Sequence, residues 1–396
     1  MKIKNLGLFL IVIFLISCTQ PTKTIKETPQ IDIPQIQQEI DLTQTETTIK
    51  KPEENKATEK AKLVLPELTY ENAYNGQLYD TSFQAGDSAP IDQVFKNFDR
   101  NGVSSAIMFF SLENPPSEDS ALVSNTGLGY MLNAIQKNPG RIIPFFNKGT
   151  SSKETRDLLG PTLTNYYKET AAKLDSISPK TIEGIGELKH YDWQINMHSK
   201  KMTGIFDIAK ENKLFIMIHP KIGEVNHLKT ILKIYPDVIF LVHYFPADFS
   251  KNKNGILRLL EDFDNIYFSV DVDHMTYDGK TGLLHKYEDD PDAVNKFISD
   301  FDANYNERLS TALLRYRDAI EKHPDKFMWG TEVSLSYTHD PEVYDRIIKF
   351  SRLFIAELPE DVQEDFAYKN AQMAFGPGVT LKKEFEISDA SNTISA

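Results

Sequence analysis

Two histidines each close a run of four apolar residues, in FIMIH (215–219) and IFLVH (239–243). An imidazole in that place can move a proton near neutral pH or offer a nitrogen lone pair to a metal. Carboxylates stand at or near the ends of other apolar runs: Asp80 in GQLYDTS (76–82), Glu187 in TIEGIGEL (181–188), Asp271 in IYFSVDV (266–272) and Glu332 in KFMWGTE (326–332). An acid at a strand tip binds a metal, handles a proton or caps the strand end, and the residues alone leave the three open. His243 and Glu332 would make a general acid–base pair even without a metal. A single histidine at a strand end is usually a satisfied structural group. Two at the same position in successive runs favour a site.

Such side chains act together only if the chain brings the run ends to one place. Eight β-like runs are present: 76–82, 104–110, 141–146, 181–188, 214–219, 238–243, 266–272 and 326–332. Helical patterns lie at 90–101, 127–137, 161–175, 198–211, 224–233, 254–262, 306–322 and 340–357. Asp340-Pro341 pairs a capping residue with a first-turn proline, and Gly102 ends the helix before it. Near-continuously apolar strands alternating with helices predict an α/β protein of the (β/α)8 TIM-barrel type. A doubly wound open sheet is the alternative, but the strand count and the placement of polar residues favour the barrel. In barrels chemistry sits at the carboxyl ends of the strands, where Asp80, Ser82, Glu187, His219, His243, Asp271, Asp273 and Glu332 fall. The helix at 306–322 carries Leu309, Ala312, Leu313, Tyr316 and Ile320 on one face, which reads as packing against the barrel.

Composition narrows the setting. The 396 residues are 40% hydrophobic and 26% charged, with a formal net charge of −13. That surface repels phosphates, so no nucleic-acid partner is expected. Lys2 and Lys4 precede the apolar Leu6–Ile16, an export signal too short for an ordinary membrane span. Leu15-Ile16-Ser17-Cys18 resembles a bacterial lipobox, which implies that Cys18 is lipidated and becomes the mature N-terminus. Thr19 follows, with no aspartate to favour inner-membrane retention, and the expectation is a lipid-anchored protein of the bacterial cell envelope, at the outer membrane. Cys18 is the sole cysteine, which excludes disulfides and thiolate metal sites. Residues 19–62 lack aromatic side chains and are rich in Thr, Gln, Glu, Lys and Pro, the composition of a disordered tether. The expected organisation is thus a signal peptide (1–18), a linker (19–62), the barrel (63–380) and a C-terminal tail (381–396).

IMIHP (216–220), FLVHYF (240–245), KFMWGTE (326–332) and YKNAQMAFG (368–376) together resemble the amidohydrolase-related barrel family, over roughly residues 76–376. That family comprises metal-dependent hydrolases and some decarboxylases. The resemblance implies that His219 ligates metal, that His243 is a second ligand or an acid–base group, and that Glu332 stands where the family usually has a ligating or proton-handling Asp. It also implies a ligand role for Glu187. One departure is large. The family's first strand ends in Asp-x-His-x-His, whereas this chain has Asp80-Thr81-Ser82-Phe83-Gln84. A hydroxyl or an amide oxygen is a far poorer ligand for a zinc-like ion than imidazole.

The reduced set that remains is His219, Glu187 and Glu332 holding one divalent metal, zinc by preference, with His243 and Glu332 moving protons. Asp80, Ser82, Gln84, Asp271, His274 and Trp193 are expected to face a small polar substrate. His274 is also available as a replacement ligand, while Asp271 and Asp273 more simply organise the loop after strand seven. The loop His190–Trp193 suits a substrate wall or, equally, a surface patch. The expected function is a membrane-tethered hydrolase acting on a C–N or C–O bond with metal-activated water, or a decarboxylase of a small acid. The alternative is a barrel without metal that binds a ligand or serves an envelope complex. A homodimer is compatible with either. His219→Ala and His243→Ala are each expected to abolish activity or metal uptake and leave the melting temperature nearly unchanged.

Overall fold

The computed structural model describes residues 72–84, 90–111, 128–147, 168, 181–191, 194–221, 223–243 and 246–381. Cys18, Trp193, the helical pattern at 161–175 apart from residue 168, and the 1–62 and 382–396 segments lie outside them.

Eight strands run in chain order: β1 (Leu78–Phe83), β2 (Val103–Ser111), β3 (Ile142–Asn147), β4 (Gly184–Leu188), β5 (Phe215–Ile218), β6 (Phe240–Val242), β7 (Ile266–Asp271) and β8 (Phe327–Gly330). Each pairs in parallel with the next, in the order β1 to β8. The ends of the sheet meet just past β8, where the Glu332 N–H donates to the Ser82 carbonyl (2.8 Å) and the Gln84 N–H to the Val333 carbonyl (2.9 Å). The sheet is thus a (β/α)8 barrel. Its helices are α1 (Ile91–Asn101), α2 (Leu128–Lys137), α3 (Lys200–Asn212), α4 (Val225–Ile234), α5 (Pro246–Asp262), the single turn α6 (Val272–Met275), α7 (Ala293–Lys322), α8 (Pro341–Ala356), α9 (Glu360–Glu364) and α10 (Asn370–Phe375).

Strand periodicity divides the apolar residues between two cores. One set, including Ile216, Ile218, Phe240, Val242, Phe268 and Trp329, packs under the helices. The alternate set, Tyr79, Ile107, Phe109, Ile143, Phe145, Met217, Leu241 and Met328, forms a second cluster inside the barrel. The period of two carries that inner row upward from Met217 to His219, from Leu241 to His243, and from Met328 through Gly330 to Glu332. Ala371 and Phe375 of α10 close the opposite end against this inner cluster, and Asn370 fastens α10 there by donating to the Pro324 and Phe327 carbonyls (2.6 and 2.9 Å).

The punctuation behaves as its chemistry dictates. Asp340 accepts from the N–H groups of Glu342 and Val343, with Pro341 in the first turn of α8, and Gly102 ends α1 with φ 68°. Two helices exceed their sequence patterns. α7 begins at Ala293 rather than 306 because Phe297 and Phe301 extend its buried stripe by two further turns. α5 begins at Pro246 rather than 254, anchored by the fully buried Phe249, whose ring lies 5.2 Å from Phe268 and 5.0 Å from Tyr316. Tertiary contact there overrides a polar local sequence.

Candidate active site

Glu187, His219 and His243 leave the ends of β4, β5 and β6 and meet inside the barrel mouth. Their ligand atoms all lie within 4.8 Å of one another, and all three side chains are buried. His243 Nδ1 is 2.8 Å from Glu187 Oε1, and His219 Nε2 is 4.0 Å from the same oxygen. Gly186 lets β4 approach this closely. A Cβ at that position would fall 2.6 Å from the Met217 carbonyl oxygen on β5.

Each of the three is oriented from behind. Lys189 Nζ lies 2.9 Å from Glu187 Oε2. The Tyr191 hydroxyl is 3.2 Å from His219 Nδ1, leaving Nε2 toward Glu187. His243 Nε2 is hydrogen-bonded to Asp271 Oδ2 of β7. Asp271 in turn accepts from the His274 N–H through Oδ1 (2.8 Å), and its Oδ2 lies 2.7 Å from His274 Nδ1. The result is a chain of polar contacts, Lys189–Glu187–His243–Asp271–His274, that crosses the mouth from β4 to α6.

The electrostatics follow. Burial raises the Glu187 carboxyl, but Lys189 and His243 outweigh it and hold it well below the usual range. Burial likewise opposes ionisation of Asp271, and His274 and His243 reverse the balance and bring it well below. His243, although desolvated, is pushed well above the ordinary imidazole value by Asp271 and Glu187. His219 is held well below it, chiefly by burial. Glu332 is raised, first by burial and further by the negative Glu187 and Asp271. It has φ 60° and takes a hydrogen bond from the Ser82 hydroxyl. The mouth thus contains two carboxyl groups whose environments push them in opposite directions, Glu187 down and Glu332 up.

The donor set fits a divalent transition metal. One carboxylate oxygen and two imidazole nitrogens are ligands zinc accepts in catalytic sites. The existing separations of 2.8 and 4.0 Å bracket the roughly 3.4 Å expected between ligands about 2.1 Å from one ion. His243 backed by Asp271 has the carboxylate–histidine arrangement that fixes a ligating imidazole.

The remaining expected residues divide. Glu332 lies beside this group, close enough to feel the charges of Glu187, His243, Asp271 and Lys189, but it belongs to neither cluster of potential ligand atoms. His243, expected to shuttle protons, has both ring nitrogens engaged by carboxylates. Both carboxylate oxygens of Asp80 are engaged by neighbouring protein groups. Its Oδ1 accepts from the N–H groups of Ser82 and Thr331, and its Oδ2 from the Thr331 hydroxyl. Ser82 engages Glu332, and Gln84 closes the barrel through its backbone. Asp271 and His274 join the central chain. Sequence reading passed over Lys189, although it shares strand parity with Glu187. It also passed over His285, which is brought in by the loop after α6 and carries no local signal. His285 Nδ1 is 3.0 Å from Asp273 Oδ2, a hydrogen bond that pushes the imidazole up to about 9.

No protein-family model matches the sequence, and no curated protein does. The fold is similar to those of several solved structures. An amidohydrolase from Burkholderia multivorans with bound Zn is 9% identical, with 76% of this chain and 100% of that one covered and a TM-score of 0.47. A probable 2-pyrone-4,6-dicarboxylic acid hydrolase from Acinetobacter baumannii, with citric acid bound, is 12% identical over 76% and 99% of the two chains, with a TM-score of 0.41. A 2,6-dihydroxybenzoate decarboxylase from Rhizobium is 10% identical over 76% and 98%, with a TM-score of 0.35.

Proposed function

We propose that the chain is a metal-dependent hydrolase of amidohydrolase type, with one divalent cation held by Glu187, His219 and His243. The observation that carries this reading is the convergence of those three buried side chains on one point, each oriented by a partner of its own: Lys189, Tyr191 and Asp271. A divalent cation bound there would acidify a water molecule to a nucleophile near neutral pH. Glu332 carries the proton traffic. Its raised carboxyl is the group suited to passing a proton to a leaving nitrogen or oxygen, while the Ser82 hydroxyl fixes one of its oxygens. Lys189 keeps Glu187 ionised and engages its Oε2, which leaves Oε1 as the oxygen that would hold a cation. The walls of the mouth bind a small polar substrate by its C–N or C–O bond, and decarboxylation of a small acid suits the same arrangement. The apolar N-terminal run and the lipobox-like Leu15–Cys18 support a lipid anchor at Cys18 and a setting at the outer membrane of a bacterial envelope.

A ligand-binding barrel without metal is the second reading. It is favoured by the alternating chain Lys189–Glu187–His243–Asp271, which balances its own charge with protons alone, and by Ser82 and Gln84 in the first strand. Elemental analysis of chelator-free protein separates the two. Stoichiometric zinc, manganese or iron that is lost in His219→Ala supports the hydrolase. Protein that stays metal-free after supplementation refutes it. Glu332→Gln should retain metal and lower kcat by 10²-fold or more.

A further inference from the structure

We infer that the mouth contains a second seat for a divalent cation, formed by Asp271, His274 and the Nε2 face of His243. This rests on the reading of the first seat only in that His243 is common to both. The ligand atoms of the three residues lie within 4.8 Å of one another, and all three side chains are buried. Asp271 Oδ2 is the common point: His274 Nδ1 is 2.7 Å from it, and His243 Nε2 is bonded to it. The imidazole centroids of His243 and His274 are 4.2 Å apart, with the rings tilted by 56°. One carboxylate and two imidazoles again make a zinc-type donor set.

The turn that supplies two of the ligands is braced from every side. Asp271 is the N-cap of α6 and uses Oδ1 for the His274 N–H, so Oδ2 alone is turned to the seat. The Asp-x-x-His spacing therefore presents both ligands from a single turn. From outside, α7 grips the same turn. Arg315 donates to the carbonyls of His274 (2.8 Å) and Tyr277 (3.2 Å), and Arg308 donates to that of Thr276 (3.0 Å). Rigid backing of this kind is what a preformed ligand pair requires.

His243 lies between the two seats. Its Nδ1 points to Glu187 and its Nε2 to Asp271. A cation in either seat takes the place of the ring proton on that side, and the proton leaves to solvent. Were both seats filled, His243 would offer Nδ1 to one and Nε2 to the other and would have released both ring protons to solvent.

Metal content read by elemental analysis after equilibration with cobalt(II) or zinc tests this, with cobalt(II) d–d absorption reporting each site. The inference expects two equivalents per wild-type chain, one in His274→Ala and one in His219→Ala. Asp271→Asn serves as a second probe should His274→Ala fail to fold, and is expected to lose the same equivalent. One equivalent in the wild type that is lost in His219→Ala and kept in His274→Ala overturns the second seat and leaves the hydrolase reading intact. One equivalent that is lost in His274→Ala and kept in His219→Ala supports the second seat and overturns the first. A wild-type chain that takes up no metal overturns both.

Discussion

Asp80 allows a quantitative test, because its carboxyl is fully buried and engaged. Burial raises it from an ordinary 3.8 to about 7, against the hydrogen bonds from Thr331 and Ser82, which lower it. Since the folded value lies above the unfolded one, the native state binds the proton more tightly between those limits. Stability is therefore greatest below the unfolded value, declines as pH rises from about 4 to 7, and is flat above. At about 1.4 kcal/mol for each pH unit, the contribution lost is about 1.5 kcal/mol by pH 5 and roughly 4 kcal/mol by pH 8.

Asp80→Asn removes the titration and nearly preserves the contacts. The amide oxygen still accepts from the N–H groups of Ser82 and Thr331, and the amide nitrogen donates to the Thr331 hydroxyl oxygen. The hydroxyl proton loses its partner, at a cost of about 1 kcal/mol. Urea-unfolding midpoints of both proteins at pH 5, 6, 7 and 8 give the comparison. The variant should gain on the wild type by roughly 2–3 kcal/mol between pH 5 and pH 8, while all other titrating groups cancel in the difference. Parallel curves over that range would refute the burial argument, as would a variant that falls further behind at pH 8.

Three other outcomes follow from the same contacts. His243→Ala leaves Glu187 and Asp271 buried without their shared cation and should cost about 3–5 kcal/mol in denaturant unfolding. His219→Ala removes a more distant contact to Glu187, 4.0 Å away, and should cost markedly less, so the two variants should differ in stability where the sequence alone suggested equal, nearly unchanged melting temperatures. Gly282→Ala would put a Cβ 2.1 Å from the Asp273 carboxylate and should destabilise by about 1–3 kcal/mol, seen as a lowered denaturation midpoint. Asp273→Asn should return His285 from about 9 toward an ordinary imidazole value, read by the NMR titration of its ring protons. An unchanged titration would show that Asp273 does not control it.

The barrel was legible because a buried parallel strand writes its burial into an unbroken apolar run, and eight such runs alternating with helices admit few architectures. Period two then carried the inner row to its polar ends, so His219, His243 and Glu332 could be placed at the mouth from spacing alone. Roles were not legible. Glu187 and Glu332 look alike in sequence, yet Lys189 and His243 keep the first ionised while burial beside other carboxylates raises the second. Asp80 and Asp271 likewise both end apolar runs. One is engaged by Thr331 and Ser82, and the other stands between two histidines. Which groups become neighbours across a closed barrel depends on the register of eight strands and the path of their loops. A carboxylate or imidazole takes its charge from those neighbours and from its distance to water. The chain by itself determined which residues reach the mouth, and only the tertiary structure decided what each one does there.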